Sequence, residues 1–125
     1  MTDDEFDRWI STYIEHQGLD EVSNGENDPR FWAIDAFSRL NDEDPELCWK
    51  AILEILRRKP GNKVLGVLAA GPLEDLIGYH GPGFIDRIET EARTNPDFRY
   101  LLGGVWESSS ADVWKRVVRA RGEVW

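Results

Sequence analysis

The apolar residues of this chain recur at the spacing of an α-helix, and this pattern constrains the fold more than any other feature. No segment alternates apolar and polar residues over the length of a strand, so no sheet is predicted. Near the N-terminus, five apolar side chains share one face of a helix that we predict over about residues 3–17. They are Phe6, Trp9, Ile10, Tyr13 and Ile14.

Capping residues followed by proline predict where three further helices begin. Asp28-Pro29, Asp44-Pro45 and Asn95-Pro96 each place a capping side chain before a proline at the first helical position. Ser109 and Asp112 fit a capping box at the start of the last helix. Between the first two helices, residues 18–28 have no apolar period and many turn formers, which predicts a loop.

Glycine and proline also divide the apolar middle of the chain, around residues 64–77. Gly71-Pro72 predicts that one helix ends and the next begins within a single residue. His80-Gly81 followed by Pro82 predicts a second break. Gly103-Gly104 predicts the end of a later, short helix.

These helices and short turns predict an all-α fold in a single domain over residues 1–125. Short turns imply that successive helices are antiparallel neighbours. The repeated Asp-Pro and Asn-Pro starts resemble the punctuation of a HEAT-type solenoid. We expect stacked antiparallel helical hairpins, as a HEAT-like short solenoid or as an irregular bundle of about 7–8 helices.

The composition suits a cytoplasmic protein. Cys48 is the one cysteine, which excludes an intrachain disulfide and suits a reducing compartment. The acidic N-terminus lacks the apolar segment of a signal peptide. No apolar run is long enough to cross a bilayer, so no membrane association is expected.

The net charge of −9 is concentrated in the first third of the chain. Residues 1–46 hold 14 acidic and 3 basic side chains, whereas residues 47–125 hold 10 acidic and 12 basic ones. Such a segment repels phosphate backbones, so a nucleic-acid partner is not expected. It would attract a basic protein, although an acidic surface that only maintains solubility remains the simpler interpretation.

The motifs of common catalytic sites are absent from the sequence. His16 and His80 are far apart and belong to no metal-binding pattern, so no metal or cofactor is expected. Cys48 lies among apolar neighbours and is interpreted as a core thiol. Residues 78–83 are glycine-rich but lack the ending of a phosphate loop, and residues 108–110 form no nucleophile elbow. We therefore expect no enzyme activity.

One alternative places a small enzyme or ligand-binding pocket around Glu74, Asp75 and His80. The simpler interpretation is that both carboxylates lie in the first turn of a helix and that His80 lies near its end, where the helix dipole favours these charges. A C-terminal basic face, Lys115, Arg116, Arg119 and Arg121 beside Trp114, is interpreted as a solvated helix side or as a partner of the acidic third.

The central motif resembles a bacterial family of domains of unknown function, met as small standalone acidic proteins. It runs Leu68-Ala-Ala-Gly-Pro-Leu-Glu-Asp-Leu-Ile77 and continues to His80-Gly81. Residues 84–92 and 102–106 fit the same family, as do Phe31-Trp32-Ala33 and Asp44-Pro45, so that the resemblance covers roughly residues 29–118. It implies an all-helical, HEAT-like fold, but no activity and no functional residue.

These observations favour a non-enzymatic protein-binding module. By analogy with small acidic bacterial proteins that serve as immunity proteins beside toxins, we expect an inhibitor that neutralises a toxin or another basic partner. A third hypothesis is an inhibitor whose acidic surface mimics a nucleic acid, and the oligomeric state is left open. The candidate partner-binding residues are Asp20, Glu21, Glu26, Asp28 and Asp35.

Overall fold

The computed structural model describes residues 1–19 and 27–125, and these residues form helices and turns without any strand. The predicted all-α class is therefore confirmed. The described chain has six continuous helical segments, slightly fewer than the predicted seven or eight. It divides into two compact units, Met1–Val67 and Leu68–Trp125. A single domain and the choice between solenoid and bundle stay predictions.

Two of the helices in the first unit start at the predicted positions. The structure has α1 (Asp3–Gln17), α2 (Trp32–Glu43), α3 (Pro45–Arg57) and α4 (Asn62–Leu68). Helix α1 has the predicted bounds, and its cap is a reciprocal box between Thr2 and Glu5. Helix α3 starts as predicted, because the Asp44 carboxylate accepts a hydrogen bond from the Leu47 amide at 3.2 Å.

Helices α1, α2 and α3 of the first unit enclose an aromatic core. Trp9 is fully buried, and its ring centroid lies 4.6 Å from that of Phe37. The Trp9 indole N–H donates to the Ala33 carbonyl at 2.8 Å, so the ring is held by a hydrogen bond as well as by packing. Tyr13 packs edge-on against Phe37, with 5.1 Å between the ring centroids.

Helix α2 does not start where the sequence predicts. The N-terminal cap position is occupied by Phe31, which makes no side-chain capping bond, and the first helical residue is Trp32. The Asp28 carboxylate instead binds Arg30 through the arginine backbone and side chain. The Asp28 carboxylate thus binds within the turn before α2, and the helix begins three residues after Pro29.

The second unit is built around one long helix. A π-helical turn (Ala69–Leu73) leads into α5 (Glu74–Thr94), which packs against α6 (Pro96–Leu102) and α7 (Ala111–Ala120). Asn95 caps α6 as predicted. The core consists of apolar side chains from all three helices, including Leu76, Ile77, Ile85, Ile88, Phe98, Leu101, Val113 and Val117.

The predicted break at Gly71-Pro72 is wrong, because the chain is helical without interruption over residues 69–94. Proline lacks an N–H and clashes with the preceding turn of an α-helix. Here the helix widens locally: the Glu74 N–H reaches back five residues to the Ala69 carbonyl. A π-turn of this kind accommodates the proline without ending the helix.

The predicted break at His80-Gly81-Pro82 is also wrong, since all three residues lie inside α5. A proline in a helix interior costs about 3 kcal/mol. Pro82 is exposed, while the helix face that carries Phe84 is buried, so tertiary packing outweighs the local signal.

Gly81 has a packing role. A Cβ atom built on it would lie 2.5 Å from Ser109 Oγ and 2.9 Å from Val113 Cγ1. The glycine therefore lets α7 and the loop before it approach α5. Ser109 has a left-handed backbone with φ of 67°, and the cap of α7 is Ser110, one residue after the predicted cap.

Gly103-Gly104 ends α6 as predicted, and the last residues of the chain pack against this glycine pair. The Trp125 amide donates to the Gly103 carbonyl at 3.0 Å, and its indole N–H donates to the Tyr100 carbonyl at 2.8 Å. In the described residues, no helix is both long enough and apolar enough to cross a membrane.

Candidate functional site

The predicted partner-binding carboxylates have different environments. Asp35 is exposed on α2. Asp28 is only 8% exposed and faces inwards. Asp20, Glu21 and Glu26 lie outside the described residues. Of the two predicted acids that the structure describes, only Asp35 is exposed to solvent.

Asp28 is the centre of a polar cluster between α1 and the start of α2. The Arg30 guanidinium donates to both carboxylate oxygens of Asp28, from Nε and from Nη2, each at 3.0 Å. The Arg30 amide adds a bond of 2.8 Å, and Nη1 reaches Glu15 at 3.2 Å. Hydrogen bonding to Asp28, more than to Glu15, raises the pKa of the Arg30 guanidinium. A two-point bond of this geometry orients both groups and stabilises the loop end.

His16 is the buried member of this cluster. Its ring is fully buried, and Nε2 lies 3.7 Å from the nearer Asp28 oxygen, which is longer than a hydrogen bond. Neither ring nitrogen has a hydrogen-bond partner in the described part of the chain. The sequence carried a signal for this burial, because His16 follows Tyr13 by three residues and so continues the apolar face of α1.

The exposed carboxylates of the first unit are largely uncompensated. This unit has 15 acidic and 8 basic side chains. Four of its five arginines bind carboxylates: Arg58, for example, binds both Asp7 and Glu54, linking α1 to α3. Four exposed carboxylates have no hydrogen-bond or ion-pair partner within residues 1–19 and 27–125. They are Asp3, Asp4, Asp35 and Asp42.

Glu74, Asp75 and His80 do not come together. They lie on one regular helix, where His80 is separated from Glu74 by about 120° and from Asp75 by about 140° around the axis. The Glu74 carboxylate instead accepts a hydrogen bond from the Trp106 amide at 3.0 Å, which ties α5 to the loop after α6. The His80 ring packs edge-on towards Phe84, 6.5 Å between centroids.

Asp75 is partly desolvated, and this burial, together with the neighbouring charge of Glu74, raises its pKa.

Cys48 is 2% exposed, and burial raises the pKa of its thiol to about 12, which agrees with the predicted core thiol. Within residues 1–19 and 27–125, no three histidine, cysteine or carboxylate side chains cluster as a metal site would require.

The second unit contains an arginine-lined cleft of about 550 Å³. Arg93 from the end of α5, Arg99 from α6, Arg119 from α7 and Arg121 from the segment after it all line this cleft. Glu89 is the carboxylate in the lining, and it is bound by Arg116. Because three helix ends supply these arginines, only the tertiary structure brings them together.

A groove of about 380 Å³ lies beside the cleft and shares Arg121 with it. Trp106, Trp114 and Trp125 line this groove. Trp106 is 78% exposed, and the Arg121 guanidinium lies 5.5 Å from the centre of the Trp114 ring. Sequence reasoning noted Arg119, Arg121 and Trp114 but missed Arg93, Arg99 and the other two tryptophans.

A comparison with known protein families matches residues 20–124 to DUF6869, described as a family of unknown function. The chain belongs to DUF6869. This confirms the resemblance to a domain-of-unknown-function family that the central motif indicated. No curated protein and no solved structure matches the chain.

The DUF6869 match includes most of the features described above. The arginine cleft lies within it, as does the Asp28–Arg30 pair, and the tryptophan groove lies within it except for Trp125. Helix α1, with His16 and the exposed Asp3 and Asp4, precedes the matched residues. The core of the first unit therefore joins a helix outside the DUF6869 match to helices inside it.

Proposed function

We propose that this chain is a non-enzymatic protein-binding module, an immunity-type inhibitor that neutralises a toxin or another basic protein. The observation that carries this proposal is the set of exposed carboxylates in the first unit that have no cationic partner among the described residues. Asp35 and Asp42 contribute to it from α2, and Asp3 and Asp4 contribute from the start of α1. An acidic surface whose carboxylates are not paired with cations attracts and orients a basic partner.

The internal ion pairs support the same proposal. Arg30, Arg57 and Arg58 each bind a carboxylate of the first unit, so they do not offset the charge on exposed Asp35 or Asp42. Glu74, Asp75 and His80 are spread around α5, and the Glu74 carboxylate accepts a bond from the Trp106 amide, which favours a binding module over a pocket at those residues.

Co-expression with the protein encoded beside its gene tests the proposal. An immunity protein should relieve the growth arrest that a toxin causes, and the purified pair should associate at least about tenfold more slowly at high salt. The double variant Asp35→Asn/Asp42→Asn should slow association as well. Glu107→Gln/Glu123→Gln, which removes the same charge from exposed positions of the second unit, is the matched control.

Two results would reject the proposal. Growth arrest that persists at full expression of the chain would exclude an immunity role. A partner that associates equally fast at low and high salt would exclude the electrostatic surface.

A further inference from the structure

The arginine cleft of the second unit is locally positive, although the net charge of the chain is −9. Unit Leu68–Trp125 holds nine acidic and seven basic residues, and four of the basic ones line this one cleft. Charges farther away than about 8–10 Å are largely screened at physiological ionic strength. A small anion would therefore respond mainly to the cleft.

The positive charge of the cleft is not neutralised from within. Glu89 is held by Arg116, and that contact lowers the pKa of the carboxyl group. Arg93, Arg99, Arg119 and Arg121 make no ion pair in the described part of the chain. Arg93 donates only to the Thr90 hydroxyl, at 3.3 Å.

The helix ends at the cleft offset only part of this charge. The C-terminal ends of α5 and α7 lie at the cleft, and each carries roughly half a negative elementary charge, so together they supply about −1. Four guanidinium groups exceed this, and an excess of like charge in one cleft is relieved by a bound anion. Guanidinium groups match phosphate in particular, because their planar forks donate two parallel hydrogen bonds to it.

The adjoining groove supplies a second kind of contact. Trp106, Trp114 and Trp125 present aromatic surface next to Arg121, which lines both spaces. The Trp106 ring is 78% exposed, so its aromatic surface is open to a planar group that enters the groove. Flat heteroaromatic rings stack on such surfaces with little dependence on their identity.

We propose that the cleft and groove together bind a nucleoside phosphate, with the phosphate against the arginines and the base against the tryptophans. Two sources share this chemistry: a free nucleotide and a single-stranded nucleic acid. This inference does not depend on the acidic surface of the first unit, so its outcome is independent of the proposed immunity role.

Isothermal titration calorimetry of the full chain with three probes tests the proposal. These are inorganic phosphate, adenosine 5′-monophosphate and a short oligothymidylate. We expect the nucleotide to bind about tenfold or more tightly than phosphate, since only the nucleotide uses the groove. Arg99→Ala and Arg119→Ala should each weaken nucleotide binding about tenfold. Trp106→Ala should weaken nucleotide binding but not phosphate binding.

Lys115→Ala is the matched control, because it removes one exposed positive charge from α7 outside the cleft. Its nucleotide affinity should remain at the wild-type value, and thermal unfolding of every variant should show that the fold is intact. An oligothymidylate that binds more tightly than the mononucleotide would assign the site to a strand, and equal or weaker binding would assign it to a free nucleotide.

Three results would overturn the proposal. The first is no measurable binding of any probe, and the second is equal affinity for phosphate and nucleotide. The third is that the arginine substitutions abolish only a salt-sensitive self-association of the chain, which would make the cleft a contact for acidic protein surfaces.

Discussion

Trp125 lies so close to Gly104 that a Cβ atom at position 104 would come within 2.6 Å of the indole ring. The end of the chain is thereby held against the end of α6, with the Trp125 amide bonded to the Gly103 carbonyl at 3.0 Å. This contact also forms one wall of the tryptophan groove. The glycine pair thus does more than end a helix.

Gly104→Ala should release this segment. The added methyl group must displace the Trp125 ring, which costs roughly 1–3 kcal/mol in overpacking. Amide hydrogen exchange at Trp125, followed by NMR, should speed up at least about tenfold. Gly122→Ala is the control, since its Cβ would meet only the flexible Arg99 side chain at 3.7 Å or more. If the Trp125 amide exchanges equally fast in the two variants, the close packing of Trp125 against Gly104 is contradicted.

Two glycines of α5 should respond to alanine in opposite directions. Gly81→Ala should destabilise the protein by roughly 1–3 kcal/mol, because the new methyl group meets Ser109 and Val113. Gly83→Ala meets nothing within 4 Å and should stabilise the helix by about 0.5–1 kcal/mol. Urea unfolding measures both changes. The same sign for both would show that helix propensity, and not packing, governs these positions.

Two aspartates that the sequence treats alike should differ in their effect on stability. Asp28→Asn weakens the two-point bond to Arg30 in a buried position and should cost roughly 1–3 kcal/mol. Asp35→Asn changes an exposed side chain and should alter the free energy of unfolding by less than about 0.5 kcal/mol. Chemical denaturation measures the free energy of unfolding of both variants. Equal losses of stability would show that Asp28 lies at the surface.

Glu54 should contribute to stability at neutral pH and lose that contribution in acid. Hydrogen bonds from Arg57 and then Arg58 lower its pKa from an ordinary 4.5 to about 2. A lowered pKa in the folded state stabilises above pH 4.5 and is lost as the pH falls towards 2. Glu54→Gln should therefore be less stable than wild type by about 1 kcal/mol at pH 7, with the gap closing in acid.

Urea unfolding at several pH values measures the Glu54 effect. Asp42→Asn, at an exposed carboxylate without a described partner, is the control and should stay within about 0.5 kcal/mol of wild type at pH 7. A gap for Glu54→Gln that is constant from pH 7 to pH 2 would contradict the lowered pKa.

Cys48 should be unreactive in the folded protein. Its thiol is buried, and the raised pKa of about 12 leaves almost no thiolate at neutral pH. Thiol titration should label less than about one tenth of the native protein but all of the protein in denaturant, where burial is lost. Rapid labelling without denaturant would show that α3 opens readily.

The sequence predicts those features of the fold that depend on a few neighbouring residues. The bounds of α1 follow from an apolar face and an acidic first turn, and the starts of α3 and α6 follow from Asp44 and Asn95. All these signals act within one turn of a helix. Local chemistry is sufficient where nothing distant competes with it.

Most of the wrong predictions arise where distant groups override such signals. The start of α2 is different, because Asp28 binds Arg30, only two residues further on, and the helix begins at Trp32. Gly81 has the form of a helix end, but Ser109 and Val113 pack against it in the middle of α5. The arginine cleft shows the same limit, because Arg93 and Arg119 are 26 positions apart and meet only through packing.

The π-turn at Ala69–Leu73 has a consequence for how members of this family should compare with one another. A π-turn closes over one more residue than an α-turn, so it is equivalent to a single-residue insertion in a helix. Loss of one residue here would leave a regular helix on both sides of the deletion. In an alignment of DUF6869 sequences, a one-residue gap should therefore fall within residues 69–73, and sequences with that gap should also lack the proline at position 72.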